Sequence, residues 1–263
     1  MPDQISDHWS WRVFVVLMSG ALVAIVAVVP YTITLLGSLP VSANQPPPLW
    51  VLLSLQLTQG VVVVGAATAI GLWLGPKVGL GAPLVHGLVA GDRTSRTKLR
   101  TVVGPAALVG VVVGAAIAAL DLWVFSPRLL APTNALGTAT PPAWQGLLAA
   151  LYGGIAEELM LRLGVMTFLV WLGARLTRTV VPGPTVFWTA IVCAAVLFGV
   201  AHLPATAALW PLTPLVVARA LLLNGLGGIA FGWLYWKQGL LAAMLAHFSA
   251  DIVLHAVTPL LNQ

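Results

Sequence analysis

Glu157 and Glu158 stand side by side near the middle of an apolar stretch covering residues 143–174, with Arg162 four positions further on. A charge at the centre of a bilayer costs roughly 2.5 to 3.5 kcal/mol, so three together need a reason, and chemistry supplies one. Residues four apart on a helix share a face, whereas adjacent ones do not. Glu158 can therefore be held as an ion pair by Arg162. Glu157 is left facing elsewhere with no dedicated cation, free to take a proton as a general base. Two histidines recur on later apolar segments. In Phe198-Gly-Val-Ala-His202 the ring and the imidazole share a face, and Pro204 follows. His202 thus sits near a helix C-terminus, which suits an electrophilic or proton-donating role. In His247-Phe-Ser-Ala-Asp251 the carboxylate lies one turn from the imidazole, where it can fix the ring's tautomer or bind a polar group of a substrate.

Each group has a plainer reading when taken alone: an intramembrane histidine can be an interhelical hydrogen-bond link, and Glu158 with Arg162 a purely structural pair. Counting along helices argues for convergence. Glu157 lies 18 residues from Arg175 and His202 lies 18 from Pro184, so both are ~27 Å from the same ends of their helices. His247 is ten residues from Lys237, so its helix must start deeper or tilt.

The elements that must position these groups are membrane spans. Of 263 residues, 59% are hydrophobic and 7% charged, against about 25% charged in a soluble domain. Seven apolar runs, near 11–36, 50–74, 102–125, 143–172, 184–202, 214–236 and 240–260, are long enough to cross a hydrocarbon core of ~30 Å. The fold class is all-α, a polytopic transmembrane bundle of about seven spans, with an eighth short helix possible over 78–91, lying in the interface or re-entrant. The first run is too long for a signal-peptide core and lacks a small-residue cleavage pattern, so it reads as a retained span. Loops rich in proline over 38–48 and 126–143 end helices. Ionisable residues concentrate in the last four spans, which divides the chain into N-terminal helices with a basic loop, 1–142, and a catalytic bundle, 143–263. Asp121 and Arg219 read as interfacial side chains, Asn224 as an interhelical hydrogen bond, and Trp9, Trp11, Trp210, Trp233 and Trp236 as interfacial anchors. The glycines of 224–232 let their helix approach a neighbour.

The net charge of +5 is not a nucleic-acid signal, because the cations cluster by loop. Arg12, Lys77, Arg93, Arg96, Lys98, Arg100, Arg175, Arg178 and Lys237 fall on one side and Arg128 on the other, which places the N-terminus in the cytoplasm and the C-terminus outside. The single cysteine, Cys193, lies inside a span, so one chain forms no disulfide.

The order Glu-Glu-x-x-x-Arg, Phe-x-x-x-His, His-x-x-x-Asp, on three separate membrane helices, resembles the CPBP intramembrane proteases, which include the CAAX prenyl endopeptidases and the bacterial Abi-type immunity proteins. The resemblance covers roughly residues 143–255 and rests on Glu157, Glu158, Arg162, Phe198, His202, His247 and Asp251. It implies hydrolysis of a peptide bond in a membrane-embedded or lipid-anchored substrate within the bilayer, in a bacterial plasma membrane. Glu157 would activate water; His202, His247 and Asp251 would hold the water, polarise the scissile carbonyl or steady the oxyanion; Glu158, Arg162 and Phe198 would support them. A zinc ion held by Glu157, His202 and His247 is an alternative in residue type, although no His-Glu-x-x-His pair on one helix supports it. The chain has Asp251 where many relatives have asparagine, and twelve residues after it where many have a further helix. Two other functions are compatible with these residues: a non-catalytic adaptor or immunity protein that keeps the pocket for binding, and a small transporter or proton relay, which the lack of an internal repeat disfavours.

Overall fold

Apolar segments this long satisfy their backbone groups in lipid only by closing hydrogen bonds within themselves, and every described element is helical. The structure, a computed structural model, describes residues 10–37, 48–129 and 141–261. The anchor expected at Trp9 and most of the two proline-rich loops lie outside them. The first span runs through α1 (Trp11–Ala27), capped by the Ser10 hydroxyl, and α2 (Val29–Gly37). The second is α3 (Leu49–Leu74). A short α4 (Pro83–Val89) does not cross; it precedes α5 (Arg93–Leu120), the third span. The fourth is composite: α6 (Ala143–Leu151), two π-helical stretches at Tyr152–Glu157 and Leu159–Met166, then α7 (Thr167–Leu176). The fifth is α8 (Pro184–Ala201), followed by the short α9 (Leu203–Leu209). The sixth is α10 (Pro214–Gln238), and the last combines α11 (Leu240–Ile252), a π-helical turn and α12 (Thr258–Leu261). Seven helices are long and apolar enough to cross a membrane, and no strand occurs among the described residues. The chain is an integral, multi-pass membrane protein.

The fourth span sits at the centre. Half of its most apolar window is buried, against 6% for the second span, and Leu159, Leu163, Met166 and Val170 are fully enclosed. Helices crowd around it by small residues. At Gly228 on α10 an added Cβ would stand 2.6 Å from that of Ala195 on α8, the close approach expected of the glycine run over 224–232.

One span boundary differs from the sequence expectation. The third helix begins at Arg93, nine residues before the apolar run at 102, because Asp92 caps it. The Asp92 carboxylate accepts from the amides and hydroxyls of Thr94 and Ser95, and these bonds hold its pKa well below the usual carboxylate range, the Thr94 hydroxyl contributing most. Hydropathy detects the lipid-facing part of such a helix and misses its charged first turns. Across the 75–92 connection, burial lowers the pKa of His86.

Candidate active site

The site is built on the irregular part of the fourth span. A π-helix is rare and is frequently found at functional sites. The sequence reading of a regular α-helix here is corrected: both glutamates lie in or between π-helical stretches. The wider turn is supported by a side chain, since the Thr167 hydroxyl donates to the Arg162 carbonyl five residues back, at 3.2 Å. Thr167 in turn meets the Tyr235 hydroxyl at 2.7 Å, and that hydroxyl accepts from Gly81 N at 2.9 Å. A single buried chain thus connects the 75–92 segment through α10 to the helix that carries Arg162. Tyr235→Phe removes the link, leaving the Gly81 N–H buried with no acceptor. A loss of about 1–3 kcal/mol in folding stability is expected, read by denaturation of the detergent-solubilised protein.

Glu158 and Arg162 are buried behind the site, at 0% and 2% exposure. Arg162 Nη1 lies 3.1 Å from Glu158 Oε1, an ion pair without the alignment of a hydrogen bond. The guanidinium also rests between the rings of Phe198 and Phe231, 5.3 and 5.5 Å from their centroids, with Nη2 3.5 Å from the Gly227 and Gly228 carbonyls. Glu158 Oε1 has a second partner in His247, whose Nδ1 donates to it at 2.7 Å. This pins the imidazole from behind. Phe231 stacks on its face at 4.7 Å and Phe198 meets it edge-on. Its Nε2 therefore points forward, 3.7 Å from Glu157 Oε2 and 3.6 Å from Asp251 Oδ1.

His202 is oriented in the same way by different means. It caps the C-terminus of α8, its Nδ1 donating to the Phe198 carbonyl at 2.8 Å. Both imidazoles thus have Nδ1 committed and Nε2 available. Glu157, His202, His247, Asp251 and Phe198 all line one cavity of about 840 Å³. The 3.7 Å between Glu157 and His247 is too long for a direct hydrogen bond. A water ~2.8 Å from each would see the two atoms at roughly 80°, a position from which it can bond to both. Glu157 and His247 approach each other and His202 lines the same cavity, and α11 follows α10 directly through Gly239, whose φ of +94° allows the abrupt reversal.

Gly153 carries no chemistry in the sequence reading, yet it borders the site. A Cβ there would stand 3.1 Å from His247 Nε2 and from Asp251 Cγ, and nearer still to Asp251 Oδ2. Gly153→Ala is expected to preserve folding while displacing both side chains, with a fall of about 10²-fold in turnover. Comparing activity with thermal stability of the same preparation checks it. Only a glycine shortly before the aligned glutamate-arginine pair, on a helix that must meet α11, hints at this in the sequence.

Two other readings are corrected. Asp121 and Arg219 are not independent interfacial groups: Nε and Nη2 of the arginine bind the two carboxylate oxygens at 2.6 and 2.7 Å, and both residues line the cavity. An arginine on the way to the interface meets a carboxylate first, and a bidentate pair satisfies both charges. Asn224 bonds within its own helix, to the Ala220 carbonyl at 2.8 Å, instead of to a neighbour. Among the described residues no group of three or more His, Cys, Asp or Glu side chains is gathered so as to hold a metal ion.

Residues 139–253 match the family described as Type II CAAX prenyl endopeptidase Rce1-like. No curated protein and no solved structure matches the chain. The matched region holds Glu157, Glu158, Arg162, Phe198, His202, His247 and Asp251, the same residues that assemble around the cavity. The chain therefore carries a CAAX-protease/Abi-family, Rce1-like domain spanning residues 139–253.

Proposed function

We propose that the protein is an intramembrane endopeptidase that hydrolyses a peptide bond of a membrane-embedded or lipid-anchored substrate. One observation carries this reading: Glu157 and the Nε2 of His247 face each other across 3.7 Å in a shared cavity, while Glu158 and Arg162 hold the imidazole from the buried side. Water between them gives its proton to Glu157 Oε2 as its oxygen adds to the scissile carbonyl carbon. The same proton passes to the departing amine nitrogen as the C–N bond breaks, so Glu157 is regenerated. His247, its Nδ1–H bonded to a carboxylate, offers Nε2 as a fixed acceptor for the water or, when protonated, as a donor. His202 is placed to donate to the oxyanion from Nε2 when it carries a proton there, since Nδ1 is already bonded to Phe198. Asp251 Oδ1 keeps an acceptor 3.6 Å from His247 Nε2.

The test is a comparison of new peptide N-termini in membranes from cells producing the wild-type chain with those producing Glu157→Gln. Termini that arise only with wild type support a peptidase. A wild-type biological effect retained in full by the variant would sink the reading and leave a binding protein in its place. Activity that survives stringent chelation would separate this water-activating glutamate from a metal mechanism.

A further inference from the structure

All twelve lysines and arginines fall within the described residues, and they divide sharply along the bundle. Arg12 begins the first span, Lys77 ends the second, Arg93, Arg96, Lys98 and Arg100 begin the third, Arg175 and Arg178 follow the fourth, and Lys237 ends the sixth. These positions share one end of the molecule. Lys77 and Arg175 border one small depression, and the Gly81 amide bonds to Tyr235 near the end of α10. Of the other three, Arg162 is buried, Arg219 is neutralised by Asp121, and Arg128 alone stands at the opposite end. The cavity belongs to that opposite end. It runs from Glu157 and His247 past Tyr31 on the first span to Trp123 and Ser126 beyond the third and Leu261 at the end of the last. Short loops rich in lysine and arginine stay in the cytoplasm during insertion.

We infer that the cavity opens on the extracytoplasmic side, so that it takes a peptide segment presented from the outer leaflet. The rim fits such a segment. Trp123 and Leu122 are 73% and 56% exposed, and the Asp121–Arg219 pair beside them is internally satisfied, so the mouth favours apolar residues around the scissile bond. The identity of the occupant rests on the peptidase reading; the direction of the opening does not.

Cys193 is the chain's one cysteine, which makes labelling simple. In a Cys193→Ser background of the full chain, Ser126→Cys at the rim and Thr97→Cys at the basic end are both exposed positions. A membrane-impermeant charged maleimide is applied to intact bacterial cells and to permeabilised ones. Ser126→Cys should label equally in both, and Thr97→Cys should rise several-fold on permeabilisation. Labelling of Ser126→Cys only after permeabilisation, or of Thr97→Cys in intact cells, overturns the inference. If either cysteine fails to react even in detergent, C-terminal reporters decide: active alkaline phosphatase with dark green fluorescent protein upholds it, and the reverse overturns it. Scoring new peptide N-termini in the same cells, with wild type and with Glu157→Gln, separates the two claims. A cytoplasmic cavity with Glu157-dependent cleavage ends only the sidedness, and an extracytoplasmic cavity without cleavage ends only the peptidase.

Discussion

Glu157→Gln is expected to fold like wild type and to lose about 10²- to 10⁴-fold in turnover, the range that a positioned general base supplies. The amide has nearly the shape of the carboxyl group but cannot take a proton from water, which is the role proposed for Glu157. Stability should hardly change, because the side chain faces the cavity and has no arginine or lysine partner among the described residues. Glu158→Gln is the contrasting control. Glu158 is fully buried and serves both Arg162 and His247 through one oxygen, so its change should lower stability and activity together. Thermal denaturation in detergent beside peptide turnover separates the two outcomes. Equal effects of both variants on stability would remove the division of labour between the adjacent carboxylates.

The spans and the three motifs were legible because each is a local signal. Long apolar runs report crossings whatever they pack against, and a spacing of four reports a shared helix face, so Glu158 with Arg162, Phe198 with His202 and His247 with Asp251 could be paired without knowing any neighbour. What escaped was relational. Asp121 and Arg219 are 98 residues apart and meet only because α5 and α10 adjoin at the cavity. Tyr235 looks like one more aromatic near a helix end, and only its position between Gly81 and Thr167 gives its hydroxyl a purpose. The π-helical register left no mark in hydropathy, since it widens a turn without altering composition. The spacing offers Asp251, one turn away, as a group that can fix the tautomer of His247. Its shortest polar contact is instead with Glu158 on another, because α11 packs against the π-helical turn at Gly153 and Gly154.

Arg162→Met should be the most destabilising single change at the site, at about 3–5 kcal/mol. The side chain fills a fully enclosed space, and methionine replaces much of its volume against Phe198 and Phe231. The cost comes from what remains. Glu158 keeps its carboxylate with Oε2 lacking any hydrogen-bond partner and Oε1 bound only to His247, an uncompensated charge in a medium that solvates it poorly. A second change distinguishes this electrostatic cause from lost packing. In Glu158→Gln/Arg162→Met the orphaned charge is gone, so a substantial part of the stability should return, as when both partners of a buried pair are replaced together. Activity should not return with it, because the introduced amide oxygen still accepts from His247 Nδ1 but no longer supplies the negative charge that steadies the ring when Nε2 is protonated. Chemical denaturation of the single and double variants measures the coupling. A double variant no more stable than Arg162→Met would show that the arginine acts through its contacts with the rings and glycine carbonyls, and that the ion pair is incidental to the fold.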